Sequence, residues 1–90
     1  MLLLVDNGSV FTKDIANTLS NSGIKFDQKS SDQINLDDIS DYDSFILSGR
    51  RNNDSQMNAK NSKIILHAVN KSKKLLGICY GAEILALALG

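Results

Sequence analysis

The stretch Leu75-Leu76-Gly77-Ile78-Cys79-Tyr80-Gly81 holds the residue best suited to chemistry, the chain's single cysteine. An apolar strand runs into a Gly-x-Cys-x-Gly turn, and an apolar helix follows at once. This order puts Cys79 on a sharp strand-to-helix bend, the arrangement of a nucleophile elbow. A thiol at a helix N-terminus sits at the positive end of the dipole, which favours the thiolate. Such a thiolate can attack a carbonyl or amide carbon. The flanking Gly77 and Gly81 let the backbone turn tightly and a substrate approach closely. The alternative reading of Cys79 is a small buried hydrophobe at a strand end.

Attack on a carbonyl needs donors for the oxyanion. The backbone amide of Tyr80, just after the nucleophile, is one candidate. Gly49, after the apolar run ending at Ser48, can present backbone N–H groups as the other, with Arg50 as its neighbour. Arg50 and Arg51 can also clamp a carboxylate or phosphate, or simply stand in solvent. Glu83, in the first turn after the elbow, can contact a polar group of a substrate or only complement the helix dipole. His67 is the only histidine. It lies inside a helix, well before the nucleophile strand, which argues against a catalytic role. One cysteine and one histidine make no zinc set. No phosphate loop or dinucleotide fingerprint is present, so neither metal nor cofactor is expected.

The elements that must position these residues follow from the hydrophobic pattern. Residues 2–5 form a short, wholly apolar run, as in a buried parallel strand. Ser9 is a plausible cap for a helix over residues 10–22, with Phe11, Ile15, Ala16 and Leu19 on one face. Gly23 stops it. Residues 24–26 give a second short strand. Residues 27–43 read as a polar loop with a weak strand or turn, anchored by Ile34, Leu36 and Ile39. Residues 44–48 are a third strand, 58–71 a helix, 75–78 a fourth strand, and 82–89 the start of a buried helix. The order is β-α-β-β-α-β-α. It predicts an α/β fold with an open, mostly parallel sheet and flanking helices, incomplete in itself. In such a sheet ligands bind beyond the carboxyl ends of the strands. Asp6-Asn7-Gly8, Ser48-Gly49-Arg50-Arg51 and Cys79-Tyr80-Gly81 would then share one edge.

Ninety residues make at most one domain, and a complete α/β enzyme usually needs more. A hydrophobic fraction of 42% with 22% charged residues excludes a disordered chain. No apolar run approaches the roughly 20 residues of a membrane span. The start lacks a basic region and is too short for a signal peptide. With one cysteine and no export signal, a reduced, cytoplasmic setting is expected. Charge is balanced overall but uneven along the chain. Residues 1–45 hold eight Asp against three Lys, and residues 46–90 hold Asp54 and Glu83 against two Arg and five Lys. The Asp cluster at 32, 37, 38, 41 and 43 reads as a solvated loop. No basic stripe is interleaved with aromatics, so nucleic acid is not an expected partner.

Together these residues resemble the class I (triad-type) glutamine amidotransferase domain, over essentially the whole chain but only about the N-terminal half of that domain. Leu3-Leu4-Val5-Asp6-Asn7-Gly8 resembles its opening strand, in the form closest to the GMP synthase branch. Tyr42-Asp43-Ser44-Phe45-Ile46-Leu47-Ser48-Gly49 resembles the strand leading to the oxyanion loop. Gly77-Ile78-Cys79-Tyr80-Gly81 matches the nucleophile motif, and Ile84-Leu85-Ala86-Leu87-Ala88-Leu89-Gly90 the helix behind it. The resemblance implies hydrolysis of the glutamine side-chain amide through a thioester on Cys79, with ammonia passed to a partner synthetase domain or subunit. It implies oxyanion amides from Gly49 or Arg50 and from Tyr80, and a substrate site that includes Ser48, Gly81 and Glu83.

Three departures accompany it. The family loop usually reads Ser-Gly-Gly-Pro, where this chain has Ser48-Gly49-Arg50-Arg51. The family usually has His-Gln or Met-Gln after the second glycine, where this chain has Ala82-Glu83. The family's His-x-Glu pair belongs to the C-terminal half, so residues 1–90 are expected to be inactive alone and to associate with that half or with themselves. A non-catalytic binding or regulatory module on the same fold is the alternative. A third possibility, the cysteine peptidase and chaperone superfamily that shares this elbow, usually carries an acid near the end of the first strand, for which Asp6 is a poor substitute.

Overall fold

The apolar runs become the strands of one parallel sheet. The computed structural model describes residues 1–50 and 54–77. It contains β1 (Leu2–Asn7), α1 (Thr12–Asn21), β2 (Phe26–Ser30), two 3-10 turns (Ser31–Gln33 and Ile39–Asp41), β3 (Ser44–Arg50), α2 (Ser55–Asn70) and β4 (Lys74–Gly77). The strands lie in the order β2-β1-β3-β4, and every pair is parallel. The expected order therefore holds through β4. The expected elbow at residues 77–81 extends past the described residues, and the helix at 82–89 lies wholly outside them.

Alternation along the strands decides which side chains meet which helix. Leu3, Phe45 and Leu75 are register partners, as are Val5 and Leu47. These residues join Met57, Ile64, Ile65 and Ala68 of α2, with Ile34, Ile39 and Tyr42 from the β2–β3 connection, in the main core. The next row, Leu4, Ile46 and Leu76, turns to the other face. There α1 covers it less completely. Leu4 is fully buried, but Phe11 is 64% and Leu76 54% exposed. A largely apolar groove of about 490 Å³ runs between them, lined by Phe11, Ile15, Thr18, Leu19, Ile46 and Leu76, with Asp14 also on its wall.

Several boundaries differ from the sequence pattern for identifiable reasons. β2 runs from Phe26 to Ser30 rather than over 24–26, because backbone pairing from Leu2↔Phe26 to Asp6↔Ser30 needs no apolar side chains on this edge strand. Ile24 is left 46% exposed. α2 starts at Ser55 rather than near 58, because Asp54 Oδ1 accepts from the N–H groups of Gln56 and Met57 at 2.9 and 3.3 Å. α1 begins at Thr12, two residues later than expected. Ser9 does not cap it. Its hydroxyl instead accepts from the Phe11 N–H at 3.1 Å in a turn before the helix. Gly8 takes φ +94° in that turn and Gly23 φ +73° at the end of α1, conformations that cost glycine little. The acidic cluster at 32, 37, 38, 41 and 43 is exposed throughout, while Ile34 and Ile39 between its members reach the core.

Candidate active site at the carboxyl edge of the sheet

Parallel pairing brings the carboxyl ends of β1, β3 and β4 to one edge. Two strand ends named by the sequence pattern, Asp6-Asn7-Gly8 and Ser48-Gly49-Arg50, are therefore neighbours there. β4 ends at Gly77, which pairs with Leu47. Ser48 and Gly49 follow Leu47 directly, and Cys79 lies two positions after Gly77 in the sequence. Cys79, Tyr80, Gly81, Glu83 and Arg51 themselves lie outside the described residues.

The β1–β3 ladder shifts register at this edge. Val5 pairs with Leu47 but Asn7 with Arg50, so β3 holds one extra residue. This is a bulge, uncommon between parallel strands and often found beside active sites. Ser48 bridges it. Its hydroxyl accepts from the Asn7 N–H at 2.8 Å and donates to the Gly49 carbonyl at 2.9 Å. A regular ladder would give that N–H a backbone acceptor. The serine side chain supplies one instead.

Below the bulge lies a buried pair of amides. Asn7 Nδ2 donates to the Ser48 carbonyl at 3.1 Å and to Asn61 Oδ1 at 2.9 Å. Asn61 Nδ2 donates back to Asn7 Oδ1 at 2.8 Å and to the Met57 carbonyl at 2.8 Å. Asn61 and Ser48 are fully buried and Asn7 nearly so. Buried polar groups are tolerable only when satisfied in this way. Sequence patterning does not single out Asn61. The available signal is its place in the apolar stripe Met57, Asn61, Ile64, Ile65 and Ala68 of α2, where a lone polar side chain needs a buried partner.

Ser48, expected at the substrate, thus turns its side chain into the protein and spends its hydroxyl there. Gly49 is buried at the same edge. Asp6 Oδ1 accepts from the Gly8 N–H at 2.9 Å and the Thr12 hydroxyl at 3.0 Å, which ties the end of β1 to the start of α1. Beside the N-terminus of α2, a polar hollow of about 170 Å³ is lined by Ser31, Asp32, Asp54, Gln56, Met57 and Lys60.

His67 lies at the other end of the sheet. Its ring meets Phe45 edge-on at 6.2 Å between centroids. Phe45 precedes Ser48 by three residues of extended chain, roughly 10 Å. Burial there, with Lys73 and Lys71 nearby, lowers the His67 pKa, and its Nε2 is buried without a hydrogen-bond partner. Among the described residues no helix is long and apolar enough to cross a membrane.

Comparison with known proteins agrees with this fold. Residues 3–90 match the family model for glutamine amidotransferase class-I. No curated protein is matched. Among solved structures, a GMP synthase component from Thermoplasma acidophilum superposes with a TM-score of 0.78 at 27% identity. The alignment covers 99% of this chain and 44% of that one, so the chain spans less than half the length of this relative.

Proposed function

This chain belongs to the glutamine amidotransferase class-I family, and we propose that it carries the nucleophile half of a glutaminase site. The ammonia released would serve a partner synthetase of the GMP synthase kind. The observation that carries this reading is the pairing of Leu47 with Gly77. It sets Ser48 and Gly49 next to the strand that leads in sequence to Cys79, as a nucleophile and its oxyanion donors require.

In this reading the Cys79 thiolate attacks the side-chain amide carbon of glutamine, and the carbonyl electrons move onto oxygen. The amides of Gly49 or Arg50 and of Tyr80 hold that oxyanion. The C–N bond then breaks, nitrogen leaves as ammonia after protonation, and a thioester remains. Water hydrolyses it to glutamate and restores the thiol. Gly81 lets the substrate come close, and Glu83 meets its polar end. The proton carrier is a histidine from the complementary half, since His67 lies at the far end of the sheet. Residues 1–90 alone would therefore bind and be labelled, but would not turn over. The groove between α1 and the sheet supports association with that half or with a second copy, because exposed apolar surface of this kind favours burial. A free nucleophilic thiol suits a reducing compartment such as the cytoplasm.

Labelling tests the reading. The chain is treated with 6-diazo-5-oxo-norleucine, a glutamine analogue, or with iodoacetamide, and its intact mass is followed. Preferential labelling of Cys79 by the analogue is expected. The second reading, a non-catalytic module, draws on Glu83 and Arg50-Arg51 in place of the family's usual residues. Equal, slow labelling by both reagents would favour it. Adding a His-x-Glu segment in trans should then bring glutaminase activity, and no gain would sink the split-site version.

A further inference from the structure

We infer that Ser48 is a positioning residue for the oxyanion site, held in register by Asn7 and Asn61; this rests on the amidotransferase reading above. An extra residue between Leu47 and Arg50 frees the backbone of Ser48 and Gly49 from the regular ladder. A backbone released in this way has more than one possible orientation, yet an oxyanion site needs one. The Ser48 hydroxyl removes the choice. It is anchored as acceptor by the Asn7 N–H and donates to the Gly49 carbonyl. The Gly49–Arg50 peptide is planar and trans, so its N–H points opposite to its carbonyl. Holding the Gly49 oxygen on the buried hydroxyl directs the amide N–H of residue 50 away from it. Hydroxyl and donor amide N–H thus lie at opposite edges of one rigid plane.

A second anchor acts on the preceding peptide. The Ser48 carbonyl is held by Asn7 Nδ2, and Asn7 is held by the reciprocal amide pair with Asn61. Asn61 in turn is tied to the Met57 carbonyl of its own helix. The chain of contacts therefore runs from α2 through β1 to the bulge of β3. None of these side chains is exposed. They act on the reaction only through the backbone that they orient.

The test compares two labelling rates at Cys79. Their ratio, 6-diazo-5-oxo-norleucine over iodoacetamide, reports carbonyl recognition while cancelling changes in thiol reactivity. Removing a single oxyanion donor typically costs about 100- to 1,000-fold. Misdirecting one through Ser48→Ala should lower the ratio at least about tenfold, measured well below the melting temperature. Should Ser48→Ala fail to fold, Asn61→Asp is read in the same way. It keeps the shape but removes the donor to Asn7 Oδ1, and its ratio should recover as pH falls and the carboxyl regains a proton. A wild-type preference that survives in the folded variant overturns the positioning role and leaves the amidotransferase reading standing. A wild-type chain without preference removes both.

Discussion

The buried amide pair makes the sharpest quantitative prediction. Asn61 is fully buried and donates to Asn7 Oδ1 while accepting from Asn7 Nδ2, at 2.8 and 2.9 Å. Asn61→Ala strands Asn7 Oδ1 and leaves Asn7 Nδ2 with only the Ser48 carbonyl. An orphaned buried polar group costs about 1–3 kcal/mol. One full orphan, one partial orphan and a small void should together cost about 2–4 kcal/mol. Asn7→Ala should cost a similar amount, because it strands Asn61 Oδ1 and the Ser48 carbonyl. Each change strands atoms of the other residue, which the double variant removes, so that variant should fall short of the sum by about 1–3 kcal/mol. Urea unfolding followed by far-ultraviolet circular dichroism measures this, with an unchanged m-value marking a pure stability effect. Additivity within about 0.5 kcal/mol, or single losses below about 1 kcal/mol, would refute the reasoning.

Two further outcomes concern titration. The buried Tyr42 hydroxyl donates to Asp27 Oδ2 at 2.7 Å, and desolvation together with this carboxylate raises its pKa from 10.0 to about 12. Its stabilising contribution is present in full below pH 10 and lost as pH rises from 10 towards 12. Urea midpoints over that range should fall in the wild type and stay flatter in Tyr42→Phe, which should itself cost about 1 kcal/mol at neutral pH. His67 behaves in the opposite sense. Its folded pKa lies below 6.5, mainly through desolvation and then through Lys73 and Lys71. The unfolded chain therefore binds the proton more readily, and stability present above pH 6.5 declines as pH falls below it. His67→Gln should remove that decline, as thermal melts between about pH 5 and 8 would record, and an unchanged slope would rule it out.

The proposed site divides into backbone groups that would face the substrate and buried side chains behind them. In the proposed reading the donors to the substrate are backbone groups at the sheet edge, which carry no sequence signature beyond a glycine. The buried side chains of Asn7, Ser48 and Asn61 hold that backbone through hydrogen bonds. Asn61 is a fully buried polar residue in the apolar stripe of α2. An uncompensated Asn61 would be expensive there.

Local chemistry in the chain determined the alternation of short apolar strands with helices, hence the parallel sheet and the shared edge of its strand ends. The Gly-x-Cys-x-Gly motif and the family resemblance were legible for the same reason, since each depends on neighbours a few residues apart. Tertiary structure alone decided the rest. β2 pairs through its backbone and shows no apolar pattern over 27–30. α2 starts where Asp54 can cap it, and β3 bulges where Ser48 can replace a ladder acceptor. The Asn7–Asn61 pair joins residues 54 positions apart. Hydrogen bonds of that span have no trace in local periodicity, because they come into being only when the helix packs onto the sheet and water is gone from between them.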